Sequence, residues 1–75
     1  MSKNSIGSKV KAIRAQLNLN QIAFSDVIGI SQGRLSEIEQ DKTKPSADTL
    51  KEMRDRFNVD LNWLLNDTSE EVSVK

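Results

Sequence analysis

The sequence of 75 residues contains neither cysteine nor histidine. Without cysteine the chain cannot form a disulfide or a thiolate metal site. Without histidine it lacks the commonest general base and metal ligand, which excludes the ordinary nucleophile–histidine triads. Glu37 and Glu39 are two residues apart, so they do not share a helix face, and no glycine-rich phosphate loop is present. We therefore expect no enzyme activity, no metal and no cofactor.

The sequence also lacks an apolar run of roughly 18 residues, the length that a membrane span needs. Its start has no apolar segment of the signal-peptide type, so we expect a cytoplasmic protein. The net charge is zero, which taken as an average argues against nucleic-acid binding. Residues 1–47, however, carry seven basic and four acidic side chains, whereas residues 48–75 carry four basic and seven acidic ones. The positive half contains the segment 21–40, which is suggestive of binding to nucleic acid. Chance asymmetry in a soluble domain explains this distribution equally well.

Apolar residues at helical spacing predict an all-α fold of five short helices around one core. The predicted helices span residues 5–17, 21–28, 31–40 (or from 32), 47–57 and 61–66. Polar residues that favour helix starts precede four of them, namely Asn20, Ser31, Ser46 and Asp60. Residues 1–66 are predicted to form the domain, and residues 67–75 a disordered tail.

The first and last predicted helices carry specific expectations for the core. Ile6, Val10, Ile13 and Leu17 mark the buried stripe of the first helix. Lys9, Lys11 and Gln16 are expected to lie away from that stripe. Trp63 is expected to close the core against the first and fourth helices.

Residues 21–40 are predicted to form two short helices joined by a tight turn at Gly29, with the small Ser25 where the two helices approach. If Leu35 and Ile38 face inward, the opposite face of the second helix is polar. Its outward residues are Gln32, Gly33, Ser36, Glu37 and Gln40. A short, amide-rich face of this kind is what a helix needs to contact base edges in a DNA major groove.

This segment closely resembles the helix-turn-helix of the lambdoid phage repressor and Cro-like (XRE-type) family, and the resemblance covers residues 6–66. The matching positions are Gln21, 29–31, 36–39, Lys42, 44–46, Leu50, 57–59 and 61–65. The resemblance implies a lambda-repressor-like fold and a small transcriptional repressor or regulator of phage or mobile-element type. Such a protein binds duplex DNA sequence-specifically and needs no cofactor or small-molecule ligand. A homodimer on a palindromic operator is expected, with recognition helices about 34 Å apart.

The resemblance also implies roles for individual residues. Gln32 contacts a base edge, where glutamine can bond bidentately to adenine, and Gln21 braces it and reaches the phosphate backbone. Arg34, Lys42 and Lys44 are placed to contact phosphates, which fixes register without reading sequence. The full set of implied DNA-binding residues is Asn20, Gln21, Ser31, Gln32, Gly33, Arg34, Ser36, Glu37, Lys42 and Lys44. The alternative for each is a solvated side chain on an exposed face.

Several positions add further expectations. Arg14 and Glu39 are expected to form a buried ion pair. Gly33 is unusual, because glycine inside a helix costs roughly 1 kcal/mol relative to alanine. It either lets the backbone approach DNA closely or is neutral drift on an exposed face. Two positions differ from the family pattern. Asp41 stands where glycine is usual, and Glu37 stands where the nearest relatives carry glutamine. We expect Glu37 to select cytosine, or to be held off the bases by Arg34 or a lysine.

Val59, Leu61 and Leu64 are candidates for a dimer contact, with burial in the core as the competing interpretation. At the level of function, two other classes also stay open. The first is a protein-interaction module that keeps the helix-turn-helix without DNA affinity, which the neutral charge and Glu37 favour. The second is the antitoxin of a toxin–antitoxin pair. Within the DNA-binding class itself, a restriction–modification controller is a further option.

Overall fold

The computed structural model describes residues 5–65, which form five α-helices and no strand. The helices are α1 (Ile6–Gln16), α2 (Gln21–Ile28), α3 (Gln32–Glu39), α4 (Ala47–Phe57) and α5 (Leu61–Leu65). The all-α prediction is confirmed, and the predicted bounds of α1 and α3 differ from these only by their capping residues. Within residues 5–65, no helix is long and apolar enough to cross a membrane. The predicted tail, residues 67–75, lies outside the described residues, and so does Asn66, the predicted end of α5.

Polar side chains cap the helix starts. Ser5, Asn20, Ser31 and Ser46 each accept a hydrogen bond from the backbone N–H three residues further on, at 2.8–3.2 Å. Asp60 accepts one from the N–H of Asn62 at 3.0 Å. These bonds satisfy N–H groups that have no partner inside the helix. Local residue choice therefore fixes where the helices begin.

The helix ends need left-handed backbone, which the chain supplies with one glycine and three polar residues. Gly29 ends α2 with φ +78°. Asn18, Asp41 and Asn58 have φ between +58° and +62°, a region that short polar side chains tolerate best among non-glycine residues. At Asp41, where glycine was expected, the carboxylate accepts a hydrogen bond from the N–H of Gly7 at 2.9 Å. The bond caps the start of α1 from the end of α3 and offsets the cost of the left-handed conformation.

One apolar core holds the helices together. Its buried residues are Val10, Phe24, Ile28, Leu35, Ile38, Met53, Val59 and Leu64. The rings of Phe24 and Phe57 stack with centroids 4.9 Å apart, joining α2 to α4. Helix α1 packs against α3 and α5, and α2 packs against α3 and α4. Helix α3 is thus held from inside by Leu35 and Ile38, and its opposite face is left in solvent.

Three expectations for the core are wrong. Leu17 is 40% exposed, because α1 ends at Gln16 and Leu17 is its capping residue. Lys9 is 4% exposed and its Nζ donates to the carbonyl of Trp63 at 2.7 Å. Trp63 is itself 41% exposed, so Leu64, and not the indole, fills the core from α5. The ammonium of Lys9 lies over the indole, 5.2 Å from the ring centroid, a cation–π contact that joins α1 to α5.

Candidate nucleic-acid interface

The outer face of α3 carries the polar residues that helical spacing predicted for it. Leu35 and Ile38 are 0% and 1% exposed and turn the helix so that the opposite residues face solvent. Gln32, Gly33, Arg34, Glu37 and Gln40 are exposed, and Ser36 is half-buried. This face lies at the surface of the domain, and no helix within residues 5–65 covers it. We call it the α3 outer face.

A chain of side-chain hydrogen bonds leads from the core to this face. Nε2 of Gln32 donates to Oε1 of Gln21 at 2.7 Å. Nε2 of Gln21 donates in turn to Oε1 of Glu39 at 3.1 Å. The first residue of α3 is therefore held by the first residue of α2, which the resemblance implied. Its continuation to Glu39 was not expected.

Arg14 and Glu39 form the ion pair that the resemblance implied. Nε of Arg14 lies 2.7 Å from Oε2 of Glu39, and Nη2 lies 3.1 Å from Oε1. The side chains are 17% and 4% exposed. The hydrogen bond to Glu39 raises the pKa of Arg14 above its ordinary value, against the opposing effect of burial. Arg14 also donates to the carbonyl of Leu19 at 3.1 Å, so the guanidinium joins α1, α3 and the loop before α2.

Three candidate contact residues have structural bonds of their own. The side-chain oxygens of Asn20 and Ser31 accept the capping bonds of α2 and α3. Hydroxyl O–H and amide NH₂ groups are not used by those bonds and could still donate to a phosphate. The hydroxyl of Ser36 accepts from Nε2 of Gln40 at 2.8 Å. This bond orders two side chains of the α3 outer face.

Gly33 and Glu37 are the unusual residues of this face. A Cβ added at Gly33 would have no heavy atom within 4 Å, so packing inside the chain does not require glycine there. Glu37 is exposed and makes no ion pair with any residue of the described range 5–65. The expectation that Arg34 or a lysine holds Glu37 away from the bases is therefore not met in the free protein. Its carboxylate is available to accept a hydrogen bond.

Charged side chains are paired differently in the two halves of the chain. Each basic residue of α4 has an acidic partner: Lys51 and Arg54 share Asp55 at 3.1 and 3.3 Å, and Arg56 pairs with Glu52 at 3.0 Å. By contrast Arg34, Lys42 and Lys44 are exposed, and none has an ion-pair partner among residues 5–65. These three cations lie in α3 and in the loop that follows it. Their charge remains available to an anionic partner even though the chain is neutral overall.

The dimer candidates differ in exposure. Val59 and Leu64 are 9% and 0% exposed and belong to the core, as the competing interpretation held. Leu61 is partly buried against the same core. The exposed apolar side chains nearby in sequence are Trp63 and Leu65, at 41% and 49%. Sequence periodicity could not distinguish them, because α5 has only five residues.

A sequence profile of the Helix-turn-helix family matches residues 10–64. The chain belongs to this family. The match confirms the resemblance that the residues of α2 and α3 carried.

Two relatives are similar over almost the whole chain. The chain is 27% identical over 70 residues to the "Immunity repressor protein" of Bacillus phage phi105, and the alignment covers 93% of this chain and 46% of that protein. It is 31% identical over 71 residues to the "HTH-type transcriptional regulator ImmR" of Bacillus subtilis (strain 168), covering 95% of this chain and 54% of that protein. The chain thus spans about half the length of these relatives. No solved structure matches it significantly.

Proposed function

We propose that this chain binds duplex DNA sequence-specifically by inserting α3 into the major groove, and that it acts as a small repressor or regulator of phage type. The names of the two relatives, an immunity repressor and a transcriptional regulator, support this class of function. For a regulator of bacterial or phage type, binding to DNA would place the protein in the cytoplasm. No chemical step on a substrate is part of the proposal.

The observation that carries the proposal is the hydrogen bond between two glutamines, Gln21 at the start of α2 and Gln32 at the start of α3. Gln32 is exposed, yet its amide is fixed by Gln21 at 2.7 Å. A solvated glutamine on an unused face gains little from such a bond and has side-chain entropy to lose by it. A pre-oriented amide in the first turn of a recognition helix is what reading a base edge requires.

Arg34, Lys42 and Lys44 are proposed to bind phosphates on either side of the groove. Each phosphate neutralised contributes about −0.9 to the slope of log K against log salt. If each chain of a dimer uses these three cations, we expect a slope of about −5. This is a modest salt dependence, and it follows from the small number of unpaired cations around α3.

One copy of α3 reaches only a few base pairs, so we propose that two chains bind a palindromic operator as a homodimer. The recognition helices would then be about 34 Å apart. Val59 and Leu64 are committed to the core, so we place the contact at Leu61 together with the exposed Trp63 and Leu65. Replacing Leu65 by serine should weaken binding to two adjacent half-sites more than binding to one.

One observation favours a second function, that of a protein-interaction module with the same fold. Glu37 puts an unpaired carboxylate in the middle of the α3 outer face, where phosphates would repel it. An antitoxin that also binds its toxin belongs to the same alternative. A protein of this kind needs no affinity for duplex DNA.

Retardation of random-sequence duplex at low salt, followed by selection and sequencing of the bound fraction, distinguishes the two functions. We expect retardation that weakens as salt is added, and enrichment of a two-fold symmetric motif. The matched control is Gln32→Ala, which should retain non-specific binding and lose the preference at one position of each half-site. Absence of retardation at low salt would overturn DNA binding and leave the interaction module.

A further inference from the structure

We infer that Glu39 is a positioning residue for base readout. Through Gln21, it fixes which end of the Gln32 amide faces the DNA. This inference rests on the proposed DNA-binding function and adds to it a determinant of the base that is read. The side chain of Glu39 is only 4% exposed, too little for a direct contact with DNA.

The anchor of the arrangement is the ion pair. Two bonds from Arg14, at 2.7 and 3.1 Å, hold both oxygens of Glu39. An ionised carboxylate paired with a guanidinium is only an acceptor of hydrogen bonds. The atom of Gln21 that lies 3.1 Å from Oε1 of Glu39 must therefore be its NH₂ nitrogen. The chemistry of the anchor decides this orientation, although the two ends of an amide have nearly the same shape.

Gln21 orients Gln32 in the same way. With its NH₂ turned to Glu39, Gln21 presents its carbonyl oxygen to Gln32. That oxygen can only accept, so the atom of Gln32 at 2.7 Å must be an NH₂ nitrogen. Two successive amides are thus oriented by one buried charge. In water the exposed amide of Gln32 would have no reason to prefer this orientation over the flipped one.

The orientation determines what Gln32 can offer to a base. One N–H is used by Gln21, which leaves one N–H donor and the carbonyl acceptor. Adenine presents an acceptor at N7 and a donor at N6 in the major groove, and it fits this pair. Guanine presents acceptors at both N7 and O6, so the carbonyl of Gln32 would face O6 without a proton between them. Glu39 therefore favours adenine over guanine at the position that Gln32 reads.

The test compares two duplexes that differ only at that position, and it uses the discrimination ratio, which is the dissociation constant of the second duplex divided by that of the first. The first is the selected operator, and the second carries G·C in place of A·T where Gln32→Ala abolishes the preference. The ratio does not change with the fraction of folded protein, so a loss of stability alone leaves it unaltered. A good bidentate contact discriminates roughly 5- to 150-fold, and we expect the parent protein to fall in this range.

Two variants and one control are compared with the parent protein. In Glu39→Gln the new amide can turn either end to Gln21, so both orientations of Gln32 become accessible. In Gln21→Met the connection is removed. We expect both variants to reduce the discrimination ratio to less than about one-third of the parent value, whereas Glu52→Gln on α4 should leave it unchanged.

The outcomes separate this inference from the proposed function. If Glu39→Gln weakened binding to both duplexes equally and kept the ratio unchanged, the positioning role would be overturned and DNA binding would stand. A ratio that falls in Gln21→Met but not in Glu39→Gln would also overturn it, because Gln21 alone would then orient Gln32. A parent protein that binds neither duplex would overturn the proposed function itself.

Discussion

Replacing Glu39 by alanine perturbs the contact on which the geometry of the site depends. The carboxylate accepts hydrogen bonds from Nε and Nη2 of Arg14, at 2.7 and 3.1 Å, and from Nε2 of Gln21, at 3.1 Å. Removing one partner of a buried ion pair typically costs about 3–5 kcal/mol, because the remaining charge is left unpaired. Arg14 keeps 17% of its side-chain surface in solvent and its bond to the carbonyl of Leu19. We therefore expect a loss of about 3 kcal/mol, at the lower limit of that range.

The assay is urea and thermal denaturation of the parent protein and two variants. In a domain of this size, each kcal/mol shifts Tm by about 4–8 °C, so Glu39→Ala should melt about 12–24 °C lower. Glu52→Ala is the matched control, since it removes a glutamate from an exposed ion pair with Arg56 whose side chains are 37% and 59% exposed. Such a pair is worth about 0.5 kcal/mol or less. A loss in Glu39→Ala no larger than that in Glu52→Ala would refute a buried, structurally required pair.

Three further predictions concern glycines, lysines and Glu37. Gly7→Ala should destabilise the fold by about 1–3 kcal/mol, because the new Cβ would lie 2.6 Å from Oδ1 of Asp41 and 2.8 Å from the carbonyl of Glu39. Gly33→Ala, with open space around it, should instead stabilise by up to about 1 kcal/mol in the same urea titration; equal effects would contradict the packing argument. Lys42→Ala and Lys44→Ala should each flatten the salt slope by about 0.9 per chain without altering base preference, and an altered preference with an unchanged slope would speak against phosphate contact. Glu37→Gln should raise affinity for non-specific DNA and relax selection at one position, as sequencing of bound DNA from parent and variant would show; identical results would remove Glu37 from the recognition surface.

Features that depend on neighbouring residues in the chain could be predicted from the sequence. The caps of α2, α3 and α4 follow from Asn20, Ser31 and Ser46, because their side chains bond N–H groups only three residues away. The inward placement of Leu35 and Ile38 follows from helical spacing and fixes the α3 outer face. Helical period could also have shown that Lys9 lies on the buried side of α1, since it is three residues from Ile6 and four from Ile13.

Features that depend on long-range contacts could not be predicted in the same way. The bond from Gly7 to Asp41 joins residues 34 positions apart, and the bond from Lys9 to Trp63 joins residues 54 apart. No local preference signals either of them. The connection from Glu39 to Gln21 likewise requires the packing of α1, α2 and α3 to be known. The resemblance implied the Arg14–Glu39 pair and the contact between Gln21 and Gln32. Only the three-dimensional structure shows that a hydrogen bond from Gln21 to Glu39 joins them.

The central claim is that the α3 outer face and the loop after α3 contact duplex DNA, and chemical-shift mapping tests it most directly. The isotope-labelled chain would be titrated with an operator duplex obtained by selection and, separately, with a random duplex at low salt. The account predicts that the largest backbone amide shifts occur at residues 31–37 and 42–44, and that the side-chain amide of Gln32 shifts only with the operator. Shifts confined to α4 or α5, with residues 31–37 unaffected at saturation, would contradict the account.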